Sequence, residues 1–368
     1  MRVPFVDLKA QYLSIKEEID SAIQNVINET SFIGGSEVNI FEADFAELYG
    51  SKYCISVANG TDSLYIIMKM LGIGSGDEVI TASNSWISSS ETITQTGAKP
   101  VFLDIDPAYY SMDENLLEKS INANTKAIIP VHLHGQMCEM DKIMELSKKY
   151  NLFVIEDCAQ SHFSEYKGIR AGLRGVAASF SFYPGKNLGA YGDAGCILTD
   201  DEVLSNKFRM FARHGALRKH DHVIEGINSR MDGLQAAILN AKLPYILKWT
   251  EQRIANAAIY TAKLKGVTEL NLPIIRSSAK HSFHLYVIRT EKRNELASFL
   301  KEKGIETAIH YPTALPNLAA YSYLGHSEEE FPIASAYQDQ ILSLPIYPEL
   351  TTEMIDHVVE SIKKFFNQ

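Results

Sequence analysis

The chain has 368 residues, 46% of them hydrophobic and 22% charged, an ordinary globular balance with room for two domains. Its formal net charge of -10 repels phosphate backbones at long range, which sets nucleic acid aside as a partner. The four cysteines form no CxxC pair, which argues against zinc or a disulfide framework, and no apolar run reaches membrane-spanning length. The first ten residues carry no leader-like apolar core, so a cytoplasmic location is expected.

Along the first half, short apolar runs alternate with helical patterns. A strand is expected over 54–58, then a helix over 62–71, a strand over 78–81 and a helix over 88–96. Strand 100–103, helix 113–120, strand 127–131, helix 141–150 and strand 152–155 continue the series. Such alternation predicts an α/β fold, a mostly parallel sheet covered by helices on both faces. Two further strands, 176–182 and 196–198, flank a glycine-rich turn and belong near an edge of that sheet. A long helical stretch over 231–265 follows, and Pro244 should kink or break it. Strand 282–288 and helices 293–303 and 353–366 suggest a smaller C-terminal α/β domain. The expected division is 1–245 for a large domain and 246–368 for a small one.

Three segments carry chemistry. Ala58-Asn59-Gly60-Thr61-Asp62-Ser63 follows a strand and opens a helix. Its free N–H groups and the Thr61 hydroxyl suit a phosphate, although the same residues make an ordinary helix cap. The strand 152–155 runs into Glu156 and Asp157 at the sheet edge where α/β proteins bind ligands. Neighbouring strand residues face opposite ways, so the two acids should serve different roles. A buried carboxylate there needs a cation: a protonated pyridine nitrogen, a structural ion pair or Mg²⁺ all satisfy it. Third, Lys186 sits in the turn Phe182-Tyr183-Pro184-Gly185-Lys186-Asn187-Leu188-Gly189, just after an apolar strand. A Schiff-base lysine must lose its proton, which burial favours, whereas a lone loop lysine is usually solvated.

Taken together and in this order, the segments resemble the nucleotide-sugar aminotransferases of the DegT/StrS family. Those have the fold of aspartate aminotransferase (fold type I) and use pyridoxal phosphate. The likeness runs from Pro4-Phe5-Val6-Asp7-Leu8 through His310-Tyr311-Pro312 to the C-terminal helix. It implies that Gly60, Thr61 and Ser181 bind the cofactor phosphate and that Trp86 packs on its ring. It implies further that Asp157 pairs with the ring nitrogen, Gln160 approaches the ring hydroxyl, and Lys186 holds the cofactor as a Schiff base. Gly226-Ile227-Asn228-Ser229-Arg230-Met231-Asp232 matches a segment whose asparagine, here Asn228, reaches the phosphate of the neighbouring subunit, which implies a homodimer with shared active sites. Family members with histidine in place of the lysine act as dehydratases, so the lysine here favours transamination. Gly192-Asp193-Ala194-Gly195 is similar to the branch that aminates C3 of dTDP-linked 3-keto-6-deoxyhexoses, and departs from the Gly-Glu-Gly-Gly form common in C4 enzymes. The expected reaction is transfer of the amino group of L-glutamate to such a sugar in deoxyamino-sugar biosynthesis. The alternatives are C4 amination or a regulatory protein on the same fold.

Weaker signals remain. His132-Leu133-His134 places two imidazoles where metal ligands could stand, but no third ligand follows at suggestive spacing, and no metal is expected. His162 either lines the site or is a satisfied core residue. Arg209, Arg213, His214, Arg218, Lys219, His220 and His222 form a basic run that is mostly a solvated face. Within it Arg218 is the candidate for a sugar-nucleotide diphosphate. Tyr183, His310 and Tyr311 are candidates near the sugar, with domain packing as the other reading for Tyr311. Phe32 either stacks on the nucleotide base or packs beneath Gly34-Gly35.

Overall fold

A computed structural model describes residues 1–367 of the chain. Its centre is a seven-stranded sheet. In chain order the strands are β1 (Tyr53–Val57), β2 (Glu78–Ala82), β3 (Lys99–Leu103), β4 (Thr125–Ile129), β5 (Phe153–Asp157), β6 (Ala177–Ser181) and β7 (Gly195–Thr199). Their spatial order is β1-β7-β6-β5-β4-β2-β3. Only β7 runs against its neighbours, pairing antiparallel with β1 and β6, while the remaining pairs are parallel.

Strand pleating explains why these runs are apolar throughout. Val79, Ala127, Ile155 and Ile197 enter one hydrophobic cluster, while their neighbours Ile80, Ile128, Val154 and Leu198 enter another on the opposite face. Both faces are therefore buried, as parallel sheets require. The carboxyl ends of β1, β4, β5 and β6 all open on one edge. That edge receives Asn59-Gly60-Thr61, Asp157, Ser181 and the turn with Lys186.

The predicted helices and strands of the first half are present within a few residues. Three N-terminal helices, Leu8–Ser14, Lys16–Glu29 and Ser36–Tyr49, had no counterpart in the sequence reading. The expected strand 282–288 is Tyr286–Arg289, paired with Ile341–Leu344. Residues 282–285 are diverted elsewhere: Ser282 N–H donates to Gly135 O and Leu285 N–H to His134 O, and Phe283 has φ 46. The stretch 231–265 divides into Gly233–Lys242, a 3₁₀ turn Leu243–Tyr245 holding Pro244, and Ile246–Leu264. Proline has no N–H to continue the ladder, so the break falls where expected.

The helix Ile246–Leu264 begins in one core and ends in another. Ile246 and Trp249 join the first cluster, whereas Ala257, Tyr260 and Leu264 join a separate one with Leu296, Leu344 and Ile362. Val3 from the chain start also enters this second core, held by a bridge to Ile305.

Candidate active site

A cavity of about 580 Å³ lies at the carboxyl edge of the sheet. One wall is the N-terminus of helix Gly60–Met70. Asn59 caps it, its side chain accepting from Asp62 N–H at 2.8 Å, which fixes the angle at which the chain leaves β1. The Thr61 hydroxyl meets Ser88 at 2.7 Å. Gly60 lies against β6 so closely that a Cβ there would stand 2.8 Å from Ser181 Cβ. Free N–H groups and the hydroxyls of Thr61 and Ser181 thus converge, and an anion fits there.

Glu156 and Asp157 do face opposite ways. Glu156 accepts from His132 Nε2 and from the N–H groups of Gly172, Arg174 and Gly175, between 2.7 and 2.9 Å. It is a structural anchor for the turn 172–175. Asp157 points into the cavity and is 5% exposed. Ser89 donates to its Oδ2 at 2.9 Å and Ala159 N–H to its Oδ1 at 3.1 Å. Burial raises its pKa above the ordinary carboxylate value, and those two donors and the Lys186 charge oppose the rise. Lys186 sits across the cavity on the turn after β6. It is partly buried and lines the cavity, and burial pushes its ammonium down to about 8.

Gln160 accepts from His134 N–H at 2.7 Å and donates to the Tyr311 hydroxyl at 2.9 Å. The Trp86 ring lies 5.6 Å from that of Tyr311. His310 stacks on Phe5 and shares a hydrogen bond with Ser343 at 2.8 Å. Trp86, Gln160, Ser181, Tyr183, His310 and Tyr311 all line the cavity with Gly60, Thr61, Asp157 and Lys186.

Four other candidates do not line it. His162 is fully buried behind Phe180 and Phe182. Phe32 is 44% exposed. Arg218 is exposed on the hairpin Ala216–Arg218 and Asp221–His222, not on a helix face. Asn228 bridges Arg213. His132 and His134 diverge as well: β4 ends at Ile129, His132 turns to Glu156, and His134 donates to His310 O at 3.2 Å. Sequence reasoning missed Ser89, the donor on Asp157, and Arg253 and His284 on the cavity wall. Ser89 stands in an ordinary-looking serine run, and nothing in the sequence marks which of the three serines reaches Asp157.

The residues present fit pyridoxal phosphate. A hydroxyl-lined helix terminus takes a phosphate, a buried carboxylate takes a protonated ring nitrogen, and a lysine with lowered pKa takes a carbonyl. Fold and site together define a pyridoxal-phosphate-dependent enzyme of the aspartate aminotransferase fold. The chain belongs to the DegT/DnrJ/EryC1/StrS aminotransferase family, whose model matches residues 13–363. It is 43% identical to a pleiotropic regulatory protein of Geobacillus stearothermophilus, covering 100% of this chain and 99% of that one. It is 42% identical to the dTDP-3-amino-3,6-dideoxy-alpha-D-galactopyranose transaminase of Aneurinibacillus thermoaerophilus, covering 99% of each. It is also 42% identical to the UDP-2-acetamido-2-deoxy-3-oxo-D-glucuronate aminotransferase of Pseudomonas aeruginosa, over 96% of this chain and 97% of that one. The crystal structure of Streptomyces venezuelae DesV with a ketimine intermediate superposes with a TM-score of 0.98 at 38% identity, covering 100% of this chain and 99% of that one. Solved neighbours include forms with pyridoxal phosphate and with pyridoxamine phosphate. The protein is a pyridoxal-phosphate-dependent sugar aminotransferase.

Proposed function

We propose that the protein transfers the amino group of L-glutamate to C3 of a nucleotide-linked 3-keto sugar, by preference a dTDP-linked 3-keto-6-deoxyhexose. The observation that supports the reaction is one cavity in which buried Asp157 faces Lys186, whose burial lowers its pKa to about 8. The position on the sugar is supported by relatives whose names place the amino or oxo group at C3. Gly192-Asp193-Ala194-Gly195 points to the dTDP branch.

When bound, pyridoxal phosphate supplies an electron sink for a carbanion beside the transferred nitrogen. Thr61 and Ser181 hold its phosphate with the helix N–H groups. Asp157 keeps a proton on the ring nitrogen, and Gln160 orients the ring hydroxyl. Lys186, as the free amine, removes the proton from the α-carbon of the amino donor. It returns a proton to C3 of the sugar in the second half of the cycle, serving as nucleophile, base and acid in turn. Trp86 and Tyr311 exclude water from the ring face. Tyr183 and His310 contact the sugar.

The active unit in this reading is a homodimer, with Asn228 reaching the partner's phosphate site, and Phe32 and Arg218 serving the nucleotide. Trp86 and Tyr183 support it, being 58% and 60% exposed in a single chain at the cavity rim. His162 supports the floor of the site from behind. In this reading residues 1–245 form the large domain that binds the cofactor and 246–368 the small C-terminal one. No helix among the described residues is long and apolar enough to cross a membrane, and the cytoplasm is the proposed compartment.

A side-by-side assay of dTDP-linked 3-keto and 4-keto sugars and a UDP-linked 3-keto sugar tests the assignment. Turnover should be highest with the dTDP 3-keto sugar, and preference for a 4-keto sugar overturns the C3 reading. Bleaching of the visible cofactor band by glutamate tests the donor, since an enzyme that takes its amino group from another donor leaves the band intact.

A further inference from the structure

Arg253 is a buried cation with no task in the mechanism above. It stands on helix Ile246–Leu264, is 3% exposed, and lines the same cavity as Lys186. Both hydrogen bonds of its guanidinium leave from Nη1, to the carbonyls of Ile346 at 2.9 Å and Phe283 at 3.3 Å. Its Nε is buried without a partner. Among the described residues it forms no ion pair, and Glu349 is the carboxylate whose field reaches it.

A guanidinium out of water and without a carboxylate is a costly arrangement unless an anion completes it. Its neighbours on the wall do not compete for that anion. Burial pushes His310 down to about 4 and His284 well below its ordinary value, so both are neutral near pH 7. Arg253 is therefore the permanent positive charge of this wall. The phosphate seat at Thr61 and Ser181 is a different anion site, built from N–H and hydroxyl groups. Ile346, which accepts from Arg253, and the apolar side chains of Phe5, Val6 and Leu285 line the same cavity. A diphosphate would have to shed its water there against apolar surface. A carboxylate is smaller, carries one charge and matches the planar fork of a guanidinium.

We propose that Arg253 binds a carboxylate of the amino donor and holds its α-carbon toward Lys186. The inference rests on the reading that the donor is an amino dicarboxylate. It makes Arg253 a positioning residue for the first half-reaction and leaves the sugar half-reaction to other groups.

The test uses the holoenzyme and glutarate, an unreactive dicarboxylate, titrated by calorimetry. Arg253→Gln should weaken glutarate binding by about 30-fold or more, the scale for removing one partner of a buried charge pair. It should raise the KM for glutamate in the same proportion. The KM for the sugar nucleotide should stay within about threefold, as for an uncoupled site. Arg253→Lys, which keeps the charge but not the fork, should recover part of the loss. A folded Arg253→Gln dimer with unchanged glutarate affinity overturns the proposal. So does a fall in the affinity of both substrates together, the mark of a merely structural residue. Should the variants fail to fold, the native holoenzyme decides: equal binding of glutarate and its neutral diamide overturns the proposal, and strong preference for glutarate supports it. Failure of glutamate to bleach the native cofactor band is a separate outcome that overturns the donor reading, and with it the inference.

Discussion

Burial acts in opposite directions on the two ionisable groups that face each other across the cavity. It raises the pKa of the Asp157 carboxyl and lowers that of the Lys186 ammonium from 10.5 to about 8. Paired groups whose environments shift them apart from their usual states are the mark of an acid–base site. Lys186→Ala should abolish glutamate-dependent turnover by several powers of ten, beyond the roughly 10²–10⁴ of one acid–base role, while sedimentation shows an intact dimer. Asp157→Asn should slow the glutamate half-reaction, followed by loss of the visible band, because a neutral amide cannot hold a charged ring nitrogen; an unchanged rate would show that the ring nitrogen has another partner. The lysine shift also bears on stability. Below pH 8 the folded chain must keep a buried ammonium that the unfolded chain solvates freely, and that penalty disappears as pH rises from about 8 to 10.5. Cofactor-free Lys186→Met should therefore be more stable than the native chain at pH 7, on the order of 1–3 kcal/mol by urea melts. The difference should shrink across pH 8 to 10.5, and a pH-independent difference would contradict the linkage.

At the scale of elements, the site depends on how closely one helix end approaches one strand. Helix Gly60–Met70 docks its first residue on β6, where the Ser63 and Ser179 hydroxyls share a hydrogen bond and Ser179 also donates to Gly60 O at 3.1 Å. A methyl at Gly60 would meet Ser181 Cβ at 2.8 Å and Ser181 Cα at 3.2 Å. The backbone contact cannot yield by rotamer change, so the helix must back away from the strand. Gly60→Ala should then spread the donors of the phosphate seat and weaken cofactor affinity by about tenfold, the worth of one well-placed hydrogen bond. Absorbance titration of the cofactor-free variant measures this directly. Native affinity would mean that the seat tolerates the shift.

For the whole molecule, the question is which groups one chain supplies to its own site. Asn228 lies outside the cavity wall of its own chain, beside Arg213. If it serves the partner's site, subunits carrying different lesions should rescue each other. Lys186→Ala subunits mixed with inactive Asn228→Ala subunits should regain activity up to one good site per dimer. Subunit exchange shown by mass, with no return of activity, would place the phosphate within one chain. The experiment requires an Asn228 variant inactive on its own, because single neutral contacts to a phosphate are often weak.

Local patterning was enough to read the alternating elements, the break at Pro244 and the three chemical segments, because pleat, helix period and backbone hydrogen bonding act within a few residues. It also separated Glu156 from Asp157, since the pleat alone turns them apart. The resemblance of ordered motifs then assigned the fold and the cofactor, which composition could not do. What lay beyond the sequence depends on packing between distant segments. Residues 282–285 look like a strand, yet their backbone groups find partners at 134 and 135 and leave the ladder. Ser89 faces Asp157, and Arg253 enters the cavity, only because helices separated by many residues come together on the sheet edge. For His162 the sequence left a site and a core position equally open, and packing against Phe180 and Phe182 encloses it. Burial, and with it the lowered pKa of Lys186, is a property of that assembly, because desolvation is set by every segment that closes over a group and not by its neighbours in the chain.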